Sequence, residues 1–135
     1  MGKALLWGVF LVIGSSLGAS GASAADAAAG KDVFKECMAC HTVEQGKNRV
    51  GPSLHGVVGR KAASVENFKY SKPMQEKASS GLTWTPEVLK SYLQAPKEIV
   101  PGTTMAYAGL KNSAKYKASP DEAADNLIAY LTETK

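Results

Sequence analysis

The residues best suited to chemistry in this chain stand together at Cys37-Met38-Ala39-Cys40-His41. Successive residues of an α-helix turn by about 100°, so the positions three and four beyond Cys37 return to its side. Both sulfurs and the imidazole then share one face. Two thiols so placed can add to two vinyl groups of one porphyrin while the ring nitrogen reaches its iron, the arrangement of a c-type haem attachment. Three other chemistries compete for the same cysteines. A dithiol redox pair sits at a helix start that follows a strand, and no strand pattern precedes Cys37. A structural zinc site wants four ligands, and beyond this run only His55 and carboxylates remain. A plain disulfide is open to any two cysteines of an exported chain. None of the three needs a histidine directly after the second cysteine, so haem is the reading taken forward.

A six-coordinate haem needs a second axial donor. The candidates are Met38, Met74, Met105, His55 and the lysines. An isolated methionine is ordinarily core filler, and an isolated histidine ordinarily a hydrogen-bonding or surface group. Met105 differs in following Pro101-Gly102-Thr103-Thr104, a turn able to hold a loop rigidly. A histidine–methionine pair would raise the reduction potential of the iron. On the residues alone these candidates stay open.

Three elements have helical signals. The first is expected over about Asp26 to Cys40, with Asp26 as N-cap and Val33, Phe34 and Cys37 at helical spacing. Gly30 inside it costs about 1 kcal/mol of propensity, which implies that something packs closely there. The second starts at Thr85-Pro86-Glu87, with threonine as cap, proline at the first position and an acid at the positive end of the dipole. Val88, Leu89, Tyr92 and Leu93 form its stripe, and Pro96 stops it. The third starts at Ser119-Pro120-Asp121-Glu122, read as a capping box, with Leu127, Ile128 and Leu131 on its apolar face. Between them, 42–64 and 99–117 read as irregular segments. Such long loops are unusual in a compact domain, and make sense wrapped around a rigid cofactor.

The leading segment reads as targeting rather than fold. Lys3, an apolar run from Leu5 to Ile13 and small residues down to Ala22-Ser23-Ala24 form a cleavable secretory signal over residues 1–24, cut after Ala24. The apolar run falls short of the roughly 20 residues a spanning helix needs; if the segment were kept, the protein would be membrane-tethered. Residues 25–135 then make one domain of 111 residues, exported to the periplasm. Without Lys3 the charge balance is 15 to 12, a formal +3, which suits steering onto an acidic protein surface. No basic block or aromatic-interleaved basic run occurs, which excludes nucleic acid. The domain has only eight aromatic residues and short apolar stretches, so a large apolar cofactor would supply the core it lacks.

Gly30 and Phe34 before the motif, Gly51-Pro52-Ser53-Leu54-His55-Gly56, Gly59-Arg60-Lys61, Tyr70, Trp84, Tyr92-Leu93, Pro96, Pro101 to Met105 and Leu127 to Leu131 resemble a class I cytochrome c in order along the whole domain. The likeness is to mitochondrial cytochrome c and its soluble bacterial relatives. It implies an all-α fold of three main helices and irregular loops around one covalently bound haem c at Cys37 and Cys40. The axial pair would be His41 and Met105. The Pro52 carbonyl would accept from His41, Tyr70, Trp84 and Arg60 would lie near the propionates, Tyr92 would donate toward the Met105 sulfur, and Thr103 would brace that loop. Gly30, Phe34, Leu127 and Tyr130 would form the crossing of the first and last helices. The implied function is one-electron shuttling, not enzymatic catalysis, between a cytochrome bc-type donor and a terminal oxidase or photosynthetic reaction centre. Docking would be transient, through Lys97 and Lys111, with the protein a monomer. The chain departs from the mitochondrial pattern at Glu36 and Thr104, where lysines are common, and at Met74, where asparagine is usual. It is also longer between Tyr70 and Trp84 and between Leu110 and Asp121.

Overall fold

The computed structural model describes residues 24–135. The signal assigned to residues 1–24 therefore lies, but for Ala24, outside the described residues. Five α-helices follow one another: α1 Ala27–Phe34, α2 Lys72–Ser79, α3 Pro86–Gln94, α4 Pro96–Ile99 and α5 Pro120–Glu133, with a 3₁₀ turn at Leu110–Asn112. Among the described residues the extended pairing is a single antiparallel bridge, Lys61 with Thr83. No described helix is long and apolar enough to cross a membrane.

The three expected helices are α1, α3 and α5. Asp26 caps α1, its side chain accepting from the N–H groups of Ala28 and Ala29, and Thr85 caps α3 by accepting from Val88. Each cap satisfies donors that a helix start leaves free. Three expectations need correction. α1 ends at Phe34, six residues before Cys40, and the chain continues as tight turns. Ser119 precedes α5 but makes no side-chain cap bond, so the expected capping box does not form; Asp121 accepts from Gln94 on α3. Finally, α2 was not anticipated. Ser71 caps it and proline stands in its first turn, yet Met74 is its one buried residue, so it carries no apolar stripe to betray it. Pro96 does end α3, and also opens α4.

α1 packs on α5, and α3 packs on α5 beside it. The first crossing is close: a Cβ on Gly30 would lie 1.9 Å from the Asn126 carbonyl oxygen. Phe34 and Tyr130 flank it with ring centroids 5.4 Å apart. The core below is built from Val33, Leu89, Leu93, Val100, Leu110, Leu127 and Leu131, all nearly or wholly buried. The Gly56 N–H donates to the Thr134 carbonyl at 2.7 Å, fastening the loop after the motif to the end of α5.

The segment before α5 is tied to α1 by Asp32. Its carboxylate accepts from Lys35 at 2.6 Å and Tyr116 at 3.1 Å, and also from Lys115. The Lys115 ammonium, then Lys35 and the Tyr116 hydroxyl, hold the Asp32 carboxyl well below the usual carboxylate range. A depressed carboxyl stabilises the fold above its ordinary pKa, and the contribution is lost as pH falls through the folded value. The group is open to solvent, so screening keeps the effect modest.

Two predictions follow from this packing. Gly30→Ala should lower stability by about 2–3 kcal/mol in denaturant titration: overpacking against backbone outweighs the roughly 1 kcal/mol gained in helix propensity. An unchanged or raised midpoint would mean that α1 and α5 do not cross there. Asp32→Asn should be less stable than the parent at neutral pH, and the gap should begin to narrow below about pH 4 and shrink progressively in stronger acid. A gap that persists in acid would show that the charge of Asp32 is not what binds the segment.

Candidate haem-attachment site

The attachment run lies on a single helical turn beyond α1: the His41 N–H donates to the Cys37 carbonyl at 2.9 Å and the Cys40 N–H to the same oxygen at 3.1 Å. The expected common face of Cys37, Cys40 and His41 is therefore kept even though the regular helix has ended. Both cysteines are free thiols and partly buried. Burial, then the neighbouring Glu36 and Cys40, pushes the Cys37 thiol up to about 12.

His41 is fixed from behind. Its Nδ1 lies 2.7 Å from the Pro52 carbonyl oxygen, so Nδ1–H donates and Nε2 keeps its lone pair. Burial, with the Arg60 charge adding to it, favours the neutral ring, against the pull of the Pro52 carbonyl. Gly51 is required beside it, since a Cβ there would come within 2.3 Å of the imidazole. The Gly51 N–H donates back to the Cys40 carbonyl at 2.8 Å, closing the loop onto the motif.

Arg60, Trp84 and Tyr70 come together as a second group. The Gly59 N–H donates to the Trp84 carbonyl and the Trp84 N–H to the Arg60 carbonyl, each at 2.8 Å. The Arg60 guanidinium donates to the carbonyls of His55 at 2.7 Å and Ser53 at 3.1 Å. Its Nε is buried without a partner. A buried unpaired donor on a cation costs free energy unless an anion meets it. Burial lowers the guanidinium pKa, while the nearby Tyr70 works the other way. Tyr70 accepts from the Val65 N–H at 3.1 Å, leaving its own proton to donate.

Met105 belongs to a third group. The Tyr92 hydroxyl donates to its sulfur at 3.3 Å, and Thr103 Oγ accepts from its N–H at 3.3 Å. The Trp84 and Tyr92 rings meet at a 53° tilt with centroids 4.8 Å apart, which joins this group to the one at Arg60. The rival donors are otherwise engaged. Met38 is 51% exposed, Met74 packs in the core, and His55 Nδ1 lies 3.3 Å from the Val43 carbonyl. Lys97 and Lys111 are exposed, on α4 and the 3₁₀ turn, which both pack against α3. Sequence reasoning overlooked Glu36 as a structural residue; nothing local marks it, because its partners are Tyr107 and Ser113, more than 70 positions away.

These residues fit a covalently bound haem. Two thiols and an oriented imidazole share one turn, a thioether is held by a phenol, and a half-buried guanidinium has a buried donor, Nε, to spare for an acidic substituent. No group of three or more metal-binding His, Cys, Asp or Glu residues occurs among the described residues, which leaves the zinc alternative without ligands.

Comparison with known proteins agrees with that chemistry. Residues 27–135 match the sequence model of the cytochrome c family. Cytochrome c2 of Blastochloris viridis is 39% identical over 132 residues, covering 97% of this chain and 93% of that protein. Cytochrome c2 iso-2 of Magnetospirillum fulvum is 53% identical over 98 residues, 73% of this chain and 91% of that one. The solved structure of cytochrome cH from Methylobacterium extorquens superposes with a TM-score of 0.68 at 43% identity, covering 82% of this chain and 99% of the other. With the motif, the helical fold and these relatives in agreement, the chain belongs to the cytochrome c family, and its cofactor is one covalently bound haem c.

Proposed function

We propose that the chain is a periplasmic one-electron carrier whose haem c is attached through Cys37 and Cys40, with His41 and Met105 as the axial ligands. It would run between a cytochrome bc-type donor and a terminal oxidase or photosynthetic reaction centre. The observation that carries this reading is the pairing of a back-bonded His41 with a Met105 whose sulfur receives the Tyr92 hydroxyl. When bound, the haem supplies an iron that takes up and returns one electron, and a histidine–methionine pair places its potential high.

The protein's part is to keep both ligands in place in either oxidation state. The Pro52 carbonyl and the bare Gly51 orient the His41 ring. Tyr92 and Thr103 hold the sulfur and backbone of Met105. Arg60, with Trp84 and Tyr70 beside it, offers donors to the propionates from a buried position. With His41 and Met105 both supplied to the iron, no position would be left open for an outside ligand, which favours a carrier over a peroxidase or small-ligand binder. Relatives named cytochrome c2 and cytochrome c-550 support the carrier reading.

Exposed Lys97 and Lys111 fit transient docking of a monomer on an acidic partner. Contacts of that kind raise the association rate more than the affinity, and weaken with salt. The working domain would be residues 25–135, released from the 1–24 signal.

Carbon monoxide tests the ligand set. The reduced parent should leave the gas unbound at neutral pH, whereas Met105→Ala should bind it readily, read from the change in the haem absorption spectrum. Ready binding by the parent would show an open iron position and turn the reading toward ligand binding or peroxidase chemistry.

A further inference from the structure

Glu36, the residue before Cys37, makes bonds that electron carrying leaves unexplained. Both of its oxygens are occupied from one distant segment. The Tyr107 hydroxyl donates to Oε2 at 2.8 Å, and Ser113 Oγ donates to Oε1 at 2.7 Å. The chain from 107 to 113 is thus an arch with both feet on one carboxylate. Its crown is pinned as well. Leu110 is wholly buried, and Gly109 at φ +95° passes so near α3 that a Cβ would lie 2.1 Å from the Gln94 carbonyl oxygen.

The position of Tyr107 gives these bonds a consequence. It stands two residues beyond Met105, with Thr104, Ala106 and Ala108 exposed around it. Among the described residues, the stretch 104–108 has two hydrogen bonds to residues outside 100–113. One is Tyr92 to the Met105 sulfur, and the other is Tyr107 to Glu36. The second joins the methionine loop directly to the attachment turn. Thr104, Ala106 and Ala108 add little buried surface to the stretch, so these two bonds bear directly on how readily it opens.

We propose that Glu36 and Tyr107 form a latch that keeps the methionine loop shut against the attachment turn, and are positioning residues for the sixth ligand. The inference rests on Met105 being that ligand. The carboxylate is engaged by two hydroxyls of its own chain. The ion pair of Asp32 with Lys115 and the bond from the Tyr116 hydroxyl hold the outer end of the same segment to α1. They provide a control that loosens the segment without touching the latch.

The test uses ferric holoprotein with imidazole as the probe. Displacement of the methionine is followed by loss of the weak long-wavelength band that marks a methionine-ligated ferric haem. At saturating imidazole the rate becomes that of loop opening. Tyr107→Phe and Glu36→Ala should each raise this limiting rate about tenfold, equivalent to about 1.4 kcal/mol. The double variant should exceed either single by no more than about twofold, because all three break the same bond. Asp32→Asn should stay within about twofold of the parent. An unchanged rate in Tyr107→Phe, single effects that multiply in the double variant, or equal acceleration by Asp32→Asn would each overturn the latch. A parent that lacks the band would refute Met105 as ligand, and the latch with it.

Discussion

The hydrogen bond from His41 Nδ1–H to the Pro52 carbonyl is the contact around which the remaining structure is arranged. It sets the tautomer and the ring plane together, so the free Nε2 has one direction in which to serve a metal. Gly51 must be bare to admit the ring, and its N–H returns to Cys40, so the loop after the motif is locked to the turn that carries the thiols. That loop continues to Ser53 and His55, whose carbonyls hold Arg60, and from Arg60 through Trp84 to Tyr92 and Met105. One chain of contacts therefore runs from the His41 ring to the Met105 sulfur.

The helices supply the frame for that chain of contacts. α1 delivers the attachment turn, and its crossing with α5 admits no Cβ at Gly30. α3 delivers Tyr92 from a stripe whose other members, Leu89 and Leu93, face the core. A core with few aromatic residues is stiffened by local devices: caps at Asp26, Ser71 and Thr85, the α5–loop bond at Gly56, and the Asp32 network. Such rigidity suits a carrier, because ligands that stay put in both oxidation states leave little to rearrange when the electron moves.

Legibility in the sequence followed the range of the interactions. Cys37, Cys40 and His41 were readable because their spacing alone places them on one turn, and Thr85-Pro86-Glu87 because cap, proline and dipole effects act within four residues. The resemblance to a known family supplied the pairings of Pro52 with His41 and Tyr92 with Met105 and the grouping of Arg60 with Trp84 and Tyr70, which no local pattern contains; it did not supply the bonds of Arg60 to the Ser53 and His55 carbonyls. Two local signals were not realised: Ser119 makes no side-chain cap bond to α5, and beyond Phe34 the helix gives way to tight turns in which the N–H groups of Lys35, Glu36 and Cys37 donate three residues back. α2 had its Ser71 cap and Pro73 but buries a single side chain, Met74, so periodicity passed over it. The bonds from Glu36 to Tyr107 and Ser113 cross more than 70 residues, and no reading of spacing could anticipate them.

The most direct test of the central claim is the intact mass of the protein recovered from the compartment it reaches. The account predicts the mass of Ala25–Lys135 plus one haem, which joins covalent attachment and signal removal in a single number. Absence of the added haem, in a host able to attach it, would contradict the account and return Cys37 and Cys40 to disulfide or dithiol chemistry.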